Sequence, residues 1–277
     1  MGKVWFITGA SRGLGAEAAR AAMAAGDRVV ATGRDPAAIH RTLGTHDDLL
    51  PLGLDVTDPA SIAAAVNAAA TQFGRIDVLV NNAGYGHLGA FEESTPAEVR
   101  QQFDTNVFGL MEVTRAVLPV MRRQRSGHVI NISSIGGVTG FASCTLYGSS
   151  KFAVEGFSEN LQYDVAPFGI HVTVVEPGFF RTDFLDQSSV RYTTDPVGDY
   201  AEASASTRSA YTGHNHQQLG DPAKLGPALV QLVRTERPPL HLLLGSDAVK
   251  FAEDALARRQ AEIAAWRQLS VSTDHAA

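Results

Sequence analysis

Cysteine is almost absent. Cys144 is the single one in 277 residues, which excludes an intrachain disulfide and suits a reducing compartment. Positive charge is also in short supply. Lys and Arg number 23 against 29 Asp and Glu, the formal net charge is -6, and no dense Lys/Arg run occurs, which argues against the electrostatic footprint of a nucleic-acid binder. No apolar stretch reaches the roughly 18 residues that a membrane span requires. The chain reads as a core strand from Lys3 to Thr8, leaving no room for a signal peptide ahead of it. A myristoylation motif would follow its Met-Gly start with Ser or Thr at the position of Phe6. These exclusions lead to the expectation of a cytoplasmic protein with no membrane or nucleic-acid partner.

What is present is a rhythm. Short apolar runs at 3–8, 28–32, 49–54, 77–80, 128–132, 171–175 and 240–244 alternate with Ala-rich segments of helical period. The runs are mostly continuous, as expected of parallel strands covered on both faces. Helices are expected at 13–25, 59–73, 96–123, 147–167, 221–235 and 246–268, with a shorter one at 36–43. Asp35-Pro36, Asp58-Pro59 and Asp221-Pro222 each place an N-cap acid before a proline at the first helical position. Strands alternating with helices imply one α/β domain, a doubly wound parallel sheet of about seven strands. The Ser/Thr-rich stretch 181–220 is weakly periodic and is expected to be a long functional loop.

After the first strand comes TGASRGLG, with Gly9, Gly13 and Gly15 opening a helix. A tight turn, close backbone approach and a helix N-terminus facing anionic charge suit a dinucleotide pyrophosphate. The second strand ends in Gly33 and Arg34, where an acidic residue would select the 2′-hydroxyl of NAD. Arg34 and Arg12 together suit a 2′-phosphate, so NADP(H) is the expected cofactor and NAD(H) the alternative. Asp35 is a rival for the ribose, although Pro36 marks it as a helix cap.

At 147–151 the chain reads YGSSK, which puts Tyr147 and Lys151 one helical turn apart. A phenol near its ordinary pKa of about 10 exchanges protons poorly at neutrality. A neighbouring ammonium, and the positive ring of an oxidised nicotinamide, would stabilise the phenolate.

These motifs resemble the short-chain dehydrogenase/reductase family. The matching elements are TGASRGLG (8–15), Asp55 closing the third strand, NNAG (81–84), Asn106, ISS (132–134), YGSSK (147–151) and PGFFRT (177–182). The family's serine-to-tyrosine interval of thirteen residues recurs between Ser134 and Tyr147. The resemblance implies a Rossmann-type fold and a reaction between a ketone and a secondary alcohol. It implies that Tyr147 exchanges the proton of the carbonyl oxygen, Ser134 holds that oxygen, Lys151 tunes the tyrosine and binds the nicotinamide ribose, and Asn106 positions a relay water. For the dinucleotide it implies the glycine loop (Gly9, Ser11, Arg12, Gly13, Leu14, Gly15), Asp55 and Val56 at the adenine, Asn82, Ala83 and Gly84 beside the adenosine, and Pro177, Gly178 and Thr182 at the nicotinamide. The C-terminal stretch from Pro238 resembles the hydroxysteroid-dehydrogenase-like branch, a grouping that names no substrate.

The segment after Thr182 is then a lid, with Phe179, Phe180, Phe184, Leu185 and Tyr192 available to line it. A mainly apolar carbonyl or alcohol substrate is expected; packing of these aromatics against the body is the competing reading. A homo-oligomer, dimer or tetramer, is expected through helices 97–121 and 147–167. His214 and His216 find no acidic or cysteine companions in sequence, and no metal site is expected. Cys144 and His87 stay unassigned between pocket and core. Two other functions suit a dinucleotide fold: a dinucleotide sensor without turnover, against which the intact Ser134, Tyr147 and Lys151 argue, and a sugar-nucleotide epimerase, whose larger substrate domain the chain length leaves little room for.

Overall fold

The computed structural model describes residues 2–186 and 189–275. In chain order the strands are β1 (Val4–Ile7), β2 (Arg28–Gly33), β3 (Leu49–Gly53), β4 (Val78–Asn81), β5 (Gly86–Leu88), β6 (Gly127–Ile132), β7 (Ile170–Pro177), β8 (Val190–Tyr192) and β9 (His241–Leu244). The helices are α1 (Gly13–Ala24), α2 (Pro36–Leu43), α3 (Pro59–Phe73), α4 (Pro96–Phe103), α5 (Leu110–Gln124), α6 (Thr145–Val165), α7 (Ala201–His214), α8 (Pro222–Arg234) and α9 (Ser246–Val271). Seven strands form one sheet in the order β3-β2-β1-β4-β6-β7-β9, every pair parallel.

The pleat sorts the strand residues between two cores. Trp5, Ile7, Val29, Ala31, Val78 and Val80 face α1 and α8. Val4, Phe6, Val30 and Leu79 face α3, α5 and α6, where Ile62, Val66, Val113, Val117 and Leu161 meet them. Burial on both sides explains why the strands lack polar alternation. The proline-led helices start where their caps predict: Asp35, Asp58 and Asp221 accept from the backbone N–H of Ala37, Ala60 and Ala223 at 2.9, 2.9 and 3.0 Å. Such caps contribute about 1 kcal/mol each.

Two expectations change. The helix foreseen over 96–123 is interrupted by a π-helical segment, Asp104–Gly109, between α4 and α5. The insertion is compatible with the apolar stripe because the wider turn re-aims its side chains while the helix continues. The 181–220 stretch is not an irregular loop: it contains β8, which pairs with β5, and the fourteen-residue α7. No residue of α7 is buried, so its sequence, AEASASTRSAYTGH, carries no apolar stripe to announce a helix.

Candidate active site

β1 and β4 lie side by side at the centre of the sheet, and the loops leaving their C-terminal ends are built against each other. Gly9 turns with φ +67°, and a Cβ there would stand 2.9 Å from the Ala83 Cα. A Cβ on Gly15 would stand 2.5 Å from the Gly9 carbonyl oxygen, so both positions admit only glycine. Gly13, also at positive φ, has open space around its missing Cβ except for the Thr182 Cβ at 4.0 Å. Asn82 ties the two loops by donating to the carbonyls of Thr8 and Gly9 at 2.9 and 3.0 Å. The Thr8 hydroxyl accepts from the N–H groups of Asn82 and Ala83, each at 3.0 Å. Thr8 was not singled out from the sequence; a hydroxyl residue ending the first strand, just before the glycine turn, is the signal that marks it.

Two cavities open over these loops and share Gly9, Arg12, Gly84 and Tyr85. The outer one, of about 690 Å³, is polar in character and lined by Ser11, Arg12, Arg34, Asp55 and Val56. Asp55 accepts from the Thr57 N–H at 2.9 Å and the Thr57 hydroxyl at 2.7 Å, bonds that hold its carboxyl below the usual range, with Arg34 adding to the effect. Asp35 does not line either cavity: it caps α2 and pairs with Arg41 at 3.1 Å. A glycine cradle at a helix N-terminus, two arginines and an engaged carboxylate fit the pyrophosphate and adenosine of a dinucleotide.

The inner cavity, about 210 Å³, brings Ser134, Tyr147 and Lys151 together with Leu14, Asn82 and the PGFFRT residues Pro177, Gly178 and Thr182. Ser134 ends the β6 loop, and its hydroxyl accepts from the Gly136 N–H at 3.0 Å. Tyr147 and Lys151 project from the first turns of α6. Lys151 is buried, donates to the Ile132 carbonyl at 2.8 Å and has its nitrogen 5.7 Å from the Tyr147 ring centre. Burial lowers the lysine to about 8, with Glu155 acting in the opposite direction. Burial raises the Tyr147 phenol above its ordinary value; the facing Ser134 hydroxyl opposes that rise. Lys151 does not figure among the groups acting on the phenol, so the expected acidification by the cation is not realised here; desolvation prevails and the phenol is protonated at neutral pH.

Gly15, Ala83 and Asn106 line neither cavity. Gly15 and Ala83 instead permit the close contact of the two loops. Asn106 sits in the π segment, where its side chain accepts from the Tyr85 N–H at 3.1 Å and donates to the Tyr85 carbonyl at 2.9 Å and the Ser150 hydroxyl at 3.3 Å. It braces the turn after β4 against α6.

Around the inner cavity, Phe141, Phe179, Phe180, Phe184 and Leu185 supply apolar wall. The Phe184 ring lies 5.5 Å from the Tyr147 ring. Asp247, at the start of α9, accepts from the Phe179 N–H at 2.7 Å, and a Cβ on Gly178 would stand 2.1 Å from its oxygen. Asp247 thus holds the turn after β7, a role that only the GSD sequence at a strand-to-helix junction hints at. Glu93 is a second anchor missed in the sequence: buried, it accepts from Val197 N, Ser204 Oγ and Thr193 Oγ1 and straps the lid to the body. Tyr192 packs with Leu88, Cys144 and Val190 rather than lining the cavity.

Cys144 resolves as both pocket and core: it lines the inner cavity, is buried, and lies 3.1 Å from the Tyr211 hydroxyl of α7. His87 is buried, its Nε2 meets no partner, and burial lowers its pKa. His216 does have acidic neighbours that distance in sequence concealed: Asp183 and Asp186 stand beside it, with Asp186 at 3.1 Å. His214 is not part of that group. No helix among the described residues is long and apolar enough to cross a membrane.

The comparisons with known proteins agree with this geometry. The chain is 39% identical to the oxidoreductase BOA17 of Botryotinia fuckeliana, the match covering 99% of this chain and 100% of that one. It is 41% identical to the 3-ketodihydrosphingosine reductase of Bacteroides thetaiotaomicron over 88% of each. A short-chain dehydrogenase structure from Streptomyces avermitilis superposes with a TM-score of 0.91 at 43% identity, covering 99% and 100% of the two chains. More distant structures hold either cofactor: ElxO contains NADP (TM-score 0.75, 26% identity, 90% and 100% coverage), and a Burkholderia phymatum protein sharing the fold contains NAD (0.81, 24%, 91% and 92%). The short chain dehydrogenase family model matches residues 3–192, the span that contains the glycine cradle, Ser134, Tyr147 and Lys151, and the chain belongs to that oxidoreductase family, whose members bind a nicotinamide dinucleotide.

Proposed function

We propose that the protein is an NADP(H)-dependent ketoreductase, equally a secondary-alcohol dehydrogenase, acting on a mainly hydrophobic carbonyl–alcohol pair. The observation that carries the proposal is the meeting of Ser134, Tyr147 and Lys151 in one cavity whose other walls are largely aromatic and aliphatic. The dinucleotide, when bound, supplies or accepts the hydride. Tyr147, kept protonated by desolvation at the half-buried cavity wall, donates to the carbonyl oxygen during reduction and takes the proton back during oxidation. Ser134 hydrogen-bonds the same oxygen and stabilises its developing charge. Lys151, anchored on Ile132, places a cation behind the phenol and a donor toward the nicotinamide ribose.

Preference for NADP(H) over NAD(H) rests on Arg12 and Arg34 sharing the outer cavity. The ketone in the name of the Bacteroides relative accords with the reaction class. A cytoplasmic site of action accords with the single, unpaired Cys144. A homodimer or tetramer through α5 and α6 accords with the exposed aromatics Phe108, Phe152 and Tyr163 on or beside those helices. Light scattering at micromolar concentration tests the assembly, a monomeric mass counting against it. The activity is tested by following NADPH and NADH oxidation against a panel of aryl, cyclic and medium-chain ketones. Preferential turnover of apolar ketones with NADPH is expected; preference for small charged sugars would contradict the substrate class.

A further inference from the structure

Two buried carboxylates stand behind Lys151. Glu155 follows it by one turn on α6, and Glu176 lies on β7; they are 8% and 4% exposed. Both Glu155 oxygens are closed off from solvent, and no donor stands in good hydrogen-bonding geometry to either. His241, on the edge strand β9, places Nδ1 2.8 Å from Glu176 Oε1 and 3.6 Å from Glu155 Oε2, while its Nε2 lies 3.4 Å from Glu159 Oε1. The Glu155, Glu176 and His241 atoms all lie within 4.8 Å of one another. His241 is the outlet of the cluster, with 42% of its side chain exposed.

Two carboxylates this close in a low-dielectric interior do not both ionise at neutral pH, and one proton stays between them. Burial and then the Glu176 charge raise Glu155 to about 8, with Ser133 and Lys151 opposing. The groups facing Glu155 are Lys151 and Glu159 on its own helix, the Ser133 hydroxyl after β6, Glu176 on β7 and His241 on β9. Among them Lys151 is the catalytic cation of the proposed reaction, so the charge on Glu155 is felt at the site.

We propose that Glu155 is a positioning residue for Lys151: it shares one proton with Glu176, exchanges it with solvent through His241, and by its charge sets how firmly Lys151 holds its own proton. The catalytic consequence rests on the ketoreductase reading, whereas the electrostatic coupling does not. Glu155 and Lys151 titrate in the same range, near 8, so the lysine feels that part of the carboxylate charge that has formed, and losing it lowers a buried lysine by up to about one unit. Glu155→Gln should therefore make Lys151 release its proton at lower pH. Glu176→Gln should not, because with its rival carboxylate gone Glu155 carries the remaining charge beside the lysine.

The test exploits the presence of only four lysines, Lys3, Lys151, Lys224 and Lys250. In protein labelled with 13C at lysine Cε, the Lys151 resonance, assigned by Lys151→Arg, is titrated by NMR. Its midpoint is expected to fall by up to about one pH unit in Glu155→Gln. It should hold or rise in Glu176→Gln, and return to the parental value in Glu155→Asp. An unchanged midpoint in Glu155→Gln overturns the proposal, as does an equal fall in Glu176→Gln. The basic limb of kcat/KM for ketone reduction should move with the midpoint. A limb that stays put while the resonance moves supports the coupling and counts instead against Lys151 as the cation behind Tyr147.

Discussion

Lys151 donates to the Ile132 carbonyl at 2.8 Å while its ammonium nitrogen stays 5.7 Å from the centre of the Tyr147 ring. The cation is tied to the end of β6, so its distance from the phenol is set by the sheet and by α6. This anchoring gives a rigid site, the kind of preorganisation that electrostatic catalysis requires. Burial affects both partners in opposite senses, raising the phenol and lowering the lysine to about 8.

Thr8 is the hydroxyl on which the turn after β4 hangs. Thr8→Val removes the acceptor for two backbone N–H groups, those of Asn82 and Ala83. Leaving partly buried amides unpaired costs about 1–3 kcal/mol each. Urea unfolding should show a loss in that range or above, with Thr8→Ser close to the parent. Equal stability of Thr8→Val and the parent would mean that the turn is held by Asn82 alone.

The proposed preference for NADP(H) turns on Arg34, which lines the outer cavity. Arg34→Asp should weaken NADPH binding by roughly ten-fold to a hundred-fold, the worth of one charge-assisted hydrogen bond. NADH should be affected much less. Fluorescence titration with both dinucleotides measures the two dissociation constants, and a parallel change in both would remove the argument for a 2′-phosphate.

His128 makes stability fall in acid. It is 5% exposed, with Nε2 2.9 Å from the Thr173 hydroxyl, and burial, then the neighbouring His171, lower it to about 3. Its folded-state pKa lies below its unfolded value of 6.5, so between those limits the unfolded chain binds the extra proton. Stability from this residue is complete above 6.5 and declines as pH falls toward 3. At pH 5 the decline is about 2 kcal/mol relative to pH 7.5. Denaturation at both pH values should show that difference shrink in His128→Asn; an unchanged difference would place the acid sensitivity elsewhere.

Much of this molecule is legible in its sequence, for physical reasons. The buried strands are short apolar runs because both sheet faces are covered, and the Asp-Pro pairs mark helix starts because one side chain and one fixed φ do the capping. Gly9 and Gly15 stand where a Cβ would collide with the facing loop, so their spacing is visible in the sequence. What was hidden depends on tertiary contact. The π segment around Asn106 adds a residue per turn without disturbing the apolar pattern. β5 and β8 have three residues each, too few for a period, and α7 buries nothing. Asp247 and Glu93 act on partners 68 and 104 residues away, and Glu155 meets Glu176 and His241 only through the fold, where spacing carries no information.

In the proposed reaction one phenol carries the proton, and Tyr147→Phe tests this most directly. Steady-state turnover of NADPH with a hydrophobic ketone should fall by about 10²–10⁴ in kcat, the usual worth of a positioned general acid. Dinucleotide affinity, measured in the same preparation, should stay within about three-fold of the parent, because the ring still packs on Phe184 and only the hydroxyl is lost. A variant that reduces the ketone at the parental rate would contradict the account.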